Sequence, residues 1–419
     1  MTGGRRFLFV FPPFAGHVNP AAGVAAELRR RGHEVAWVLH QELVGSLVGD
    51  GCDGYDGADQ GAGSPTPTAR IYPAGNRFVE QVAEHLGDRN RVKGLTALRF
   101  LWERVLVPLA TDMVDPVRAA VDDYRPDVVV ADQQTFAGGL VAVERGLPWA
   151  TSACSTAELV DALGLVPKVA EWMHGQLERL YVQVGLPWLV TTGFDPRFSP
   201  DLVIEYSSRE LVGEVGRHLG AVEFVGPVAP PRRAPTEAAP FPWRWLDRYR
   251  DNVFVSLGTL SNGIGDRFLR MVLDAVDGRP YGVVMVAPAA LAAELMPPAN
   301  VLVMPFVPQY DLLPRMQAVL CHGGHNTTVG ALGLGVPVVC APIRDDQPVT
   351  ASQVVQAGAG LRLKFSRCSA SDVATALDTV LGDPSYRRAA ARIARSFEAA
   401  GGAPRAADRL EAVAGAPGR

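Results

Sequence analysis

The sequence predicts an α/β fold made of two doubly wound domains, and three observations carry that expectation. Short apolar runs of strand type alternate with helix-length segments in two separate series. The chain has 419 residues, too many for one ordinary core and enough for two domains that each bury most of their apolar surface. A proline-rich segment separates the two series. Strands that alternate with helices imply parallel sheets with right-handed crossovers.

In the first series, residues 7–11 and 35–39 are strand candidates. Between them residues 20–31 read as a helix, with Asn19 as N-cap, Pro20 at the first helical position and Gly32 past the end. The start at Arg5 and Arg6 has the charge and apolar run of a signal peptide. Pro12-Pro13 ends that run early and a glycine-rich turn and helix follow, so a first strand is expected instead. Residues 50–73, rich in Gly, Asp and Pro, read as a mobile loop. Strands are expected again over 127–131 and 149–152, around a helix over 136–145. The prolines of 226–242 remove N–H donors and disfavour helix, which predicts an extended linker. The second series places strands at 253–257, 282–286, 301–304, 318–321 and 337–341, and residues 384–414 are Arg/Ala-rich and helical in pattern. The expected domains are therefore 1–225 and 243–383, joined by the linker 226–242 and followed by terminal helices over 384–419.

A net charge of −4 and a pI near 6.1 argue against a nucleic-acid-binding protein. A charged fraction of 20% and a hydrophobic fraction of 48% are those of a globular chain. Five cysteines, odd in number and without a C-x-x-C pair, indicate neither a disulfide framework nor a zinc site, so a reducing cytoplasm is the expected setting. No apolar run reaches the ~20 residues needed to span a bilayer.

The most informative stretch is 319–347. A buried-type strand leads into His322-Gly323-Gly324-His325-Asn326-Thr327-Thr328, a short helix, another strand and Pro342-Ile343-Arg344-Asp345-Asp346-Gln347. Small residues, hydroxyls and an imidazole at a strand-to-helix turn suit a phosphate, held by backbone N–H groups and the helix dipole. The Asp-Gln pair after the next strand suits a polyol. One ligand carrying both is a nucleotide sugar.

His17 follows the first strand and Asp132 the strand over 127–131, and residues past the carboxyl ends of strands in an open α/β sheet share one crevice. A histidine suits proton removal near neutral pH, and a carboxylate on its other nitrogen fixes the tautomer. Taken singly, such a histidine is as readily a cap and such an aspartate a turn residue. Ser256, Gly258 and Thr259, after the strand at 253–257, form either a phosphate-binding turn or an ordinary one.

The spacing His-x-Gly-x-Asn-Thr-Thr followed by Pro-x-x-x-Asp-Gln resembles the donor signature of the family 1 glycosyltransferases, which include plant secondary-metabolite glucosyltransferases and bacterial antibiotic glycosyltransferases. Phe14-Ala15-Gly16-His17-Val18-Asn19-Pro20 resembles that family's acceptor-side motif, and the two motifs stand in the family's order, a domain apart. The resemblance implies the GT-B fold, two Rossmann-like domains facing across a cleft, with the terminal helices crossing back to the first. It implies inverting, metal-independent transfer of a hexose from a UDP- or TDP-sugar to a bulky apolar acceptor, with the nucleotide sugar as co-substrate and no cofactor.

By that resemblance His17 and Asp132 are the catalytic pair, Asp132 opening the segment Asp132-Gln133-Gln134-Thr135-Phe136. Phe306, Val307 and Gln309 match the base-binding segment, although an isolated aromatic such as Phe306 would otherwise read as core. His322, Gly324, His325, Asn326, Thr327 and Thr328 surround the diphosphate, and Asp346 and Gln347 bind the sugar. No metal is expected, since Asp122-Asp123 and Asp345-Asp346 lack the D-x-D spacing of metal-dependent transferases. Gly330 stands where the family often places the Glu that binds the ribose hydroxyls. That favours a deoxyribose donor, whereas the Asp-Gln pair favours glucose, so UDP-glucose and TDP-glucose are expected ahead of a TDP-deoxysugar. The acceptor pocket is expected from 73–109 and 153–196, with Phe14, Phe78, Phe100, Trp102 and Trp172 as candidate contacts. No nucleic acid and no integral membrane segment are expected, and the chain is expected to be a monomer or homodimer. The competing expectations are a nucleotide-sugar epimerase on the same fold and a catalytically silent partner of another transferase. A dehydrogenase is disfavoured because no G-x-G-x-x-G opens the first helix.

Overall fold

The computed structural model describes residues 4–40, 70–75, 94–160, 166–216, 219–231, 241–258 and 265–416. The chain divides into two compact units. The first combines Met1–Tyr206, Glu214–Thr236 and Ala400–Arg419, and the second combines Ser207–Gly213 and Glu237–Ala399.

The sheet of the first unit holds β1 (Arg6–Val10), β2 (Glu34–Leu39), β3 (Arg70–Pro73), β4 (Val128–Asp132), β5 (Trp149–Ala153), β6 (Leu202–Glu205) and β7 (Val222–Phe224). All pairings are parallel and the order is β3-β2-β1-β4-β5-β6-β7. Helices cover both faces, which is why β1 and β4 are apolar almost throughout rather than alternating. The two-residue period of β1 assigns each side chain to a face. Phe7 and Phe9 point to a cluster with Trp37, Val24 and Leu28, whereas Leu8 and Val10 point to a cluster with Val117, Leu140 and Val141. The first face is covered by α1 (Ala15–Arg30), the second by α2 (Val107–Tyr124), α3 (Phe136–Glu144) and α4 (Pro167–Gln183).

The second unit repeats the plan with β8 (Asn252–Ser256), β9 (Gly282–Val286), β10 (Val301–Met304), β11 (Ala318–Cys321), β12 (Val338–Cys340) and β13 (Gly360–Arg362), in the order β10-β9-β8-β11-β12-β13. Val253 and Val255 pack towards α5 (Asp266–Val276) and α8 (Ala370–Gly382). Phe254 joins the opposite cluster, formed with α6 (His325–Gly333), α7 (Gln347–Gln356) and α9 (Pro384–Ala400). Ser369 begins α8 with a capping box closed by Asp372.

The structure departs from the sequence expectations in four places. Helix α1 begins at Ala15, a turn and a half before Pro20, because the backbone N–H groups of His17 and Val18 already donate to the Phe14 carbonyl. Residues 70–73 are not loop but β3, paired in register with Ala36–Leu39; the preceding 50–69 lie outside the described residues. Strands β6, β7 and β13 were not anticipated. The terminal helices do not move together: Ala390, Ile393 and Phe397 of α9 lie in the second unit's core, and only α10 (Gly402–Gly415) returns to the first, where Ala406, Ala407 and Leu410 pack on the α1 face.

An ionic clasp holds α10 to α1. Arg31 reaches Glu27 at 2.8 Å, Asp408 at 2.7 Å and Glu411 at 3.1 Å, and His33 meets Glu411 at 2.8 Å. The Arg30 guanidinium, joined by that of Arg31 and opposed by burial, holds the Glu27 carboxyl at about 2. A depressed carboxylate contributes stability above its unfolded pKa and loses it as pH falls towards the folded one. Arg31→Ala is therefore expected to cost on the order of 1 kcal/mol near neutral pH. Thermal unfolding of mutant and wild type should converge as pH drops from about 4.5 towards 2. An equal gap at all pH values would dissociate Glu27 from the clasp.

Candidate active site

In the first unit the strand order reverses between β1 and β4, the point where ligands bind in open α/β sheets. His17, the third residue of α1, follows β1, and Asp132 is the last residue of β4. The Asp132 side chain is 0% exposed and that of His17 17% exposed, and Nδ1 of His17 lies 2.8 Å from Oδ2 of Asp132. The other carboxylate oxygen accepts the Gln134 N–H at 2.9 Å. An ionised carboxylate only accepts, so Nδ1 carries the proton and Nε2 presents its lone pair. The Phe14 ring flanks the imidazole, with centroids 5.8 Å apart.

Behind the pair lies a polar group that the sequence did not reveal. Cys154, just after β5, is 6% exposed, and its Sγ is 3.5 Å from the His17 carbonyl oxygen. Ser152 and Tyr206 share a hydrogen bond of 2.8 Å. Donor atoms of His17, Asp132 and Cys154 lie within 4.8 Å of one another. Burial first, then the charges of Asp132 and Glu205, push the Cys154 thiol well up, so it keeps its proton at neutral pH. Without a metal the three form a hydrogen-bonded cluster, in which Nδ1 of His17 is given to the Asp132 carboxylate and the thiol is protonated.

The acceptor candidates separate. Phe14, Phe100 and Trp172 are half-buried at the margin of the core. Trp102 is corrected to core: it is 1% exposed, packed on Phe136 at 5.5 Å and Trp172 at 6.1 Å, with the Arg197 guanidinium 5.4 Å from its ring centroid. Phe78 lies outside the described residues.

In the second unit the reversal falls between β8 and β11, and the candidates collect there. Ser256 ends β8, its hydroxyl accepting the Gly258 N–H at 3.3 Å. Gly258 has φ 74°, a left-handed conformation that glycine adopts without strain. The His322 imidazole sits between two glycines: a Cβ at Gly324 would stand 2.3 Å from its Nε2, and one at Gly258 2.7 Å from its Cε1. Burial, with the nearby charge of Arg344 and against a bond to the Ser256 backbone, lowers the His322 pKa to about 4. The neutral ring has a single N–H, which the Ser256 backbone takes; a bound phosphate would favour the protonated ring, whose second N–H can donate to it. Beside it α6 begins at His325, and the backbone N–H groups and dipole of a helix N-terminus suit an anion. Thr259 lies outside the described residues.

Three further placements refine the donor candidates. His325 and Thr327 are buried and Asn326 half-buried, but Thr328 is wholly buried with its hydroxyl 3.8 Å from Cys321 Sγ. It packs α6 on β11, which corrects its assignment to the diphosphate. Asp346 is the N-cap residue of α7, and the Gln347 carboxamide oxygen accepts the N–H groups of Ile343 at 2.8 Å and Arg344 at 3.1 Å. That oxygen is committed to its own loop, so a sugar meets only the Gln347 NH₂. Phe306 is not core: it is 66% exposed after β10, beside buried Val307 and half-buried Gln309, and exposed Tyr310 extends the aromatic surface. Arg344, buried near His322, carries a charge that no motif assigned; its place inside the Pro342–Gln347 segment was the available signal.

A family model described as "Erythromycin biosynthesis protein CIII-like, C-terminal domain" matches residues 271–413. The chain is 29% identical to 4'-demethylrebeccamycin synthase of Lentzea aerocolonigenes, over 98% of this chain and 100% of that one. It is 30% identical to demethyllactenocin mycarosyltransferase of Streptomyces fradiae, over 97% of this chain and 86% of the other. The crystal structure of the glycosyltransferase VinC in complex with dTDP has the same fold, with a TM-score of 0.72 at 19% identity, over 98% and 99% of the two chains.

Proposed function

The chain belongs to the family 1 glycosyltransferases of natural-product biosynthesis, and from that premise we propose that it transfers a hexose from a nucleoside-diphosphate sugar to a bulky apolar acceptor, with inversion and without a metal. The observation that carries this reading is the bond of 2.8 Å between His17 and Asp132, which leaves Nε2 as the base. His17 takes the proton of the acceptor's nucleophile, which attacks the anomeric carbon from the face opposite the diphosphate as the sugar–phosphate bond breaks. The Asp132 carboxylate stabilises the imidazolium formed. Negative charge then grows on the departing diphosphate, where the α6 N-terminus, the His322 N–H and the Arg344 charge lower its energy. The half-buried Phe14, Phe100 and Trp172 support an apolar acceptor.

For the nucleotide, Gly330 supplies no side chain to a ribose diol, and VinC was crystallised with dTDP, so thymidine diphosphate is placed first. Glucose has weaker support than the Asp-Gln motif alone suggested, because the Gln347 oxygen is tied to its loop. Incubation with UDP- and TDP-hexoses and a panel of polycyclic phenols and indoles, with and without a chelator, tests the reading. A β-linked product from an α-linked donor, insensitive to the chelator, is expected. Donor turnover that needs no acceptor, or a product of retained configuration, would overturn it.

Gly330→Glu is a test of the nucleotide assignment. The added Cβ would meet only Leu313 Cδ1, at 3.4 Å, so the backbone position admits a side chain. Two charge-assisted hydrogen bonds to a ribose diol should raise UDP-sugar use over TDP-sugar use by about tenfold or more. An unchanged ratio of kcat/KM values would remove Gly330 from the ribose site.

A further inference from the structure

We infer that Cys154 is a positioning residue for the His17–Asp132 pair, its thiol fixed between the His17 carbonyl oxygen and the Asp132 carboxylate. The inference rests on the reading of His17 as base, and it adds a residue that no motif marks. Four buried side chains from three adjacent strand ends converge behind the imidazole. Asp132 ends β4, Ser152 lies in β5 with Cys154 just beyond it, and Tyr206 follows β6. Tyr206 and Ser152 are 2.8 Å apart, and Cys154 Sγ and an Asp132 carboxylate oxygen lie within 4.8 Å of each other. Cys154 Sγ stands 3.5 Å from the His17 carbonyl. The S–H therefore donates to the backbone of the base, close beside the carboxylate that orients it.

A cysteine serving only as a small apolar filler would have apolar neighbours on all sides. Cys154 does adjoin the apolar cluster of β1 and α1, but it also faces titratable groups from every neighbouring element: His17 of α1, Asp132 of β4, Glu205 of β6 and Tyr206 just after it. Burial among them keeps the thiol protonated, and so a permanent donor. Its bond to the first turn of α1 holds His17 against β4 at the distance where Nδ1–H meets Oδ2. With the donor removed, the turn is free to shift, the Nδ1–H···Oδ2 bond loosens and the imidazolium is held less strongly.

The test compares Cys154→Ala with Cys154→Ser in the full-length protein. Cys154→Ala is expected to lower kcat about tenfold with KM for the donor unchanged, and to move the acidic limb of the kcat/KM profile to lower pH. Cys154→Ser, which keeps a hydroxyl donor, is expected to restore most of the rate and return the limb. Should the wild type transfer no sugar at all, the functional reading fails. The positioning role is then read from ¹⁵N-edited NMR of His17, whose Nδ1–H resonance should be sharp and downfield in wild type and Cys154→Ser but exchange-broadened in Cys154→Ala. A wild-type rate, limb and Nδ1–H signal in Cys154→Ala, or equal losses in both mutants, would overturn the inference.

Discussion

His17→Ala is expected to lower sugar transfer to a hydroxyl acceptor by about 10²–10⁴-fold, the range for loss of a general base. UDP and TDP affinity should stay nearly unchanged, because every proposed diphosphate contact belongs to the second unit and His17 to the first. The size of the effect follows from the geometry: the Asp132 side chain is wholly buried behind the imidazole and one of its oxygens accepts the Gln134 N–H, so it is not placed to take the acceptor's proton itself. Kinetics with one donor and one phenolic acceptor, together with calorimetry of the diphosphate, measure both halves. A mutant that keeps most of its activity would remove the base from His17 and leave Asp132 without a catalytic partner.

The second large effect is expected from Gly324→Ala. The new methyl would stand 2.3 Å from His322 Nε2 and 2.7 Å from its Cε1, so the ring must be displaced. Overpacking of this kind costs about 1–3 kcal/mol. If the displaced ring is also the diphosphate's hydrogen-bond donor, binding should weaken by roughly ten- to a hundredfold. Gly382→Ala, at the end of α8 in the same unit, is the matched control, since an added methyl there meets nothing within 4 Å. Calorimetric titration with UDP and TDP reads the comparison, and thermal melts show that both mutants fold. Equal affinity in Gly324→Ala and wild type would place the diphosphate away from His322.

How much the sequence disclosed depended on whether a signal was local. Strands at 282–286, 301–304 and 318–321 were legible to the residue, since a strand buried on both faces is a continuous apolar run bounded by polar residues. The three-residue β7 and β13 carry too few side chains to show a period. The true start of α1 was hidden because Asn19-Pro20 imitates a cap and first position, whereas Pro20 lies inside the helix. That His17 and Asp132 meet was legible because one follows β1 and the other ends β4, and an open α/β sheet brings the carboxyl ends of its strands to one edge. Cys154 and Arg344 were not, because their significance lies in what they approach through space. Trp102 shows the opposite limit: an aromatic in an acceptor region has the same sequence signature whether it lines a pocket or fills the core.

The return of the last helix to the first unit bears on how enzymes of this architecture can be recombined. Because Ala400–Arg419 belongs with the first unit while Ser207–Gly213 belongs with the second, the polypeptide changes unit four times rather than once. A chimera spliced only in the proline-rich linker would carry a foreign α10 against α1, where Arg31 requires Asp408 and Glu411 opposite it. Exchange of donor specificity between relatives thus calls for a second junction near Ala399, so that the graft ends with α9 and the recipient keeps its own final helix.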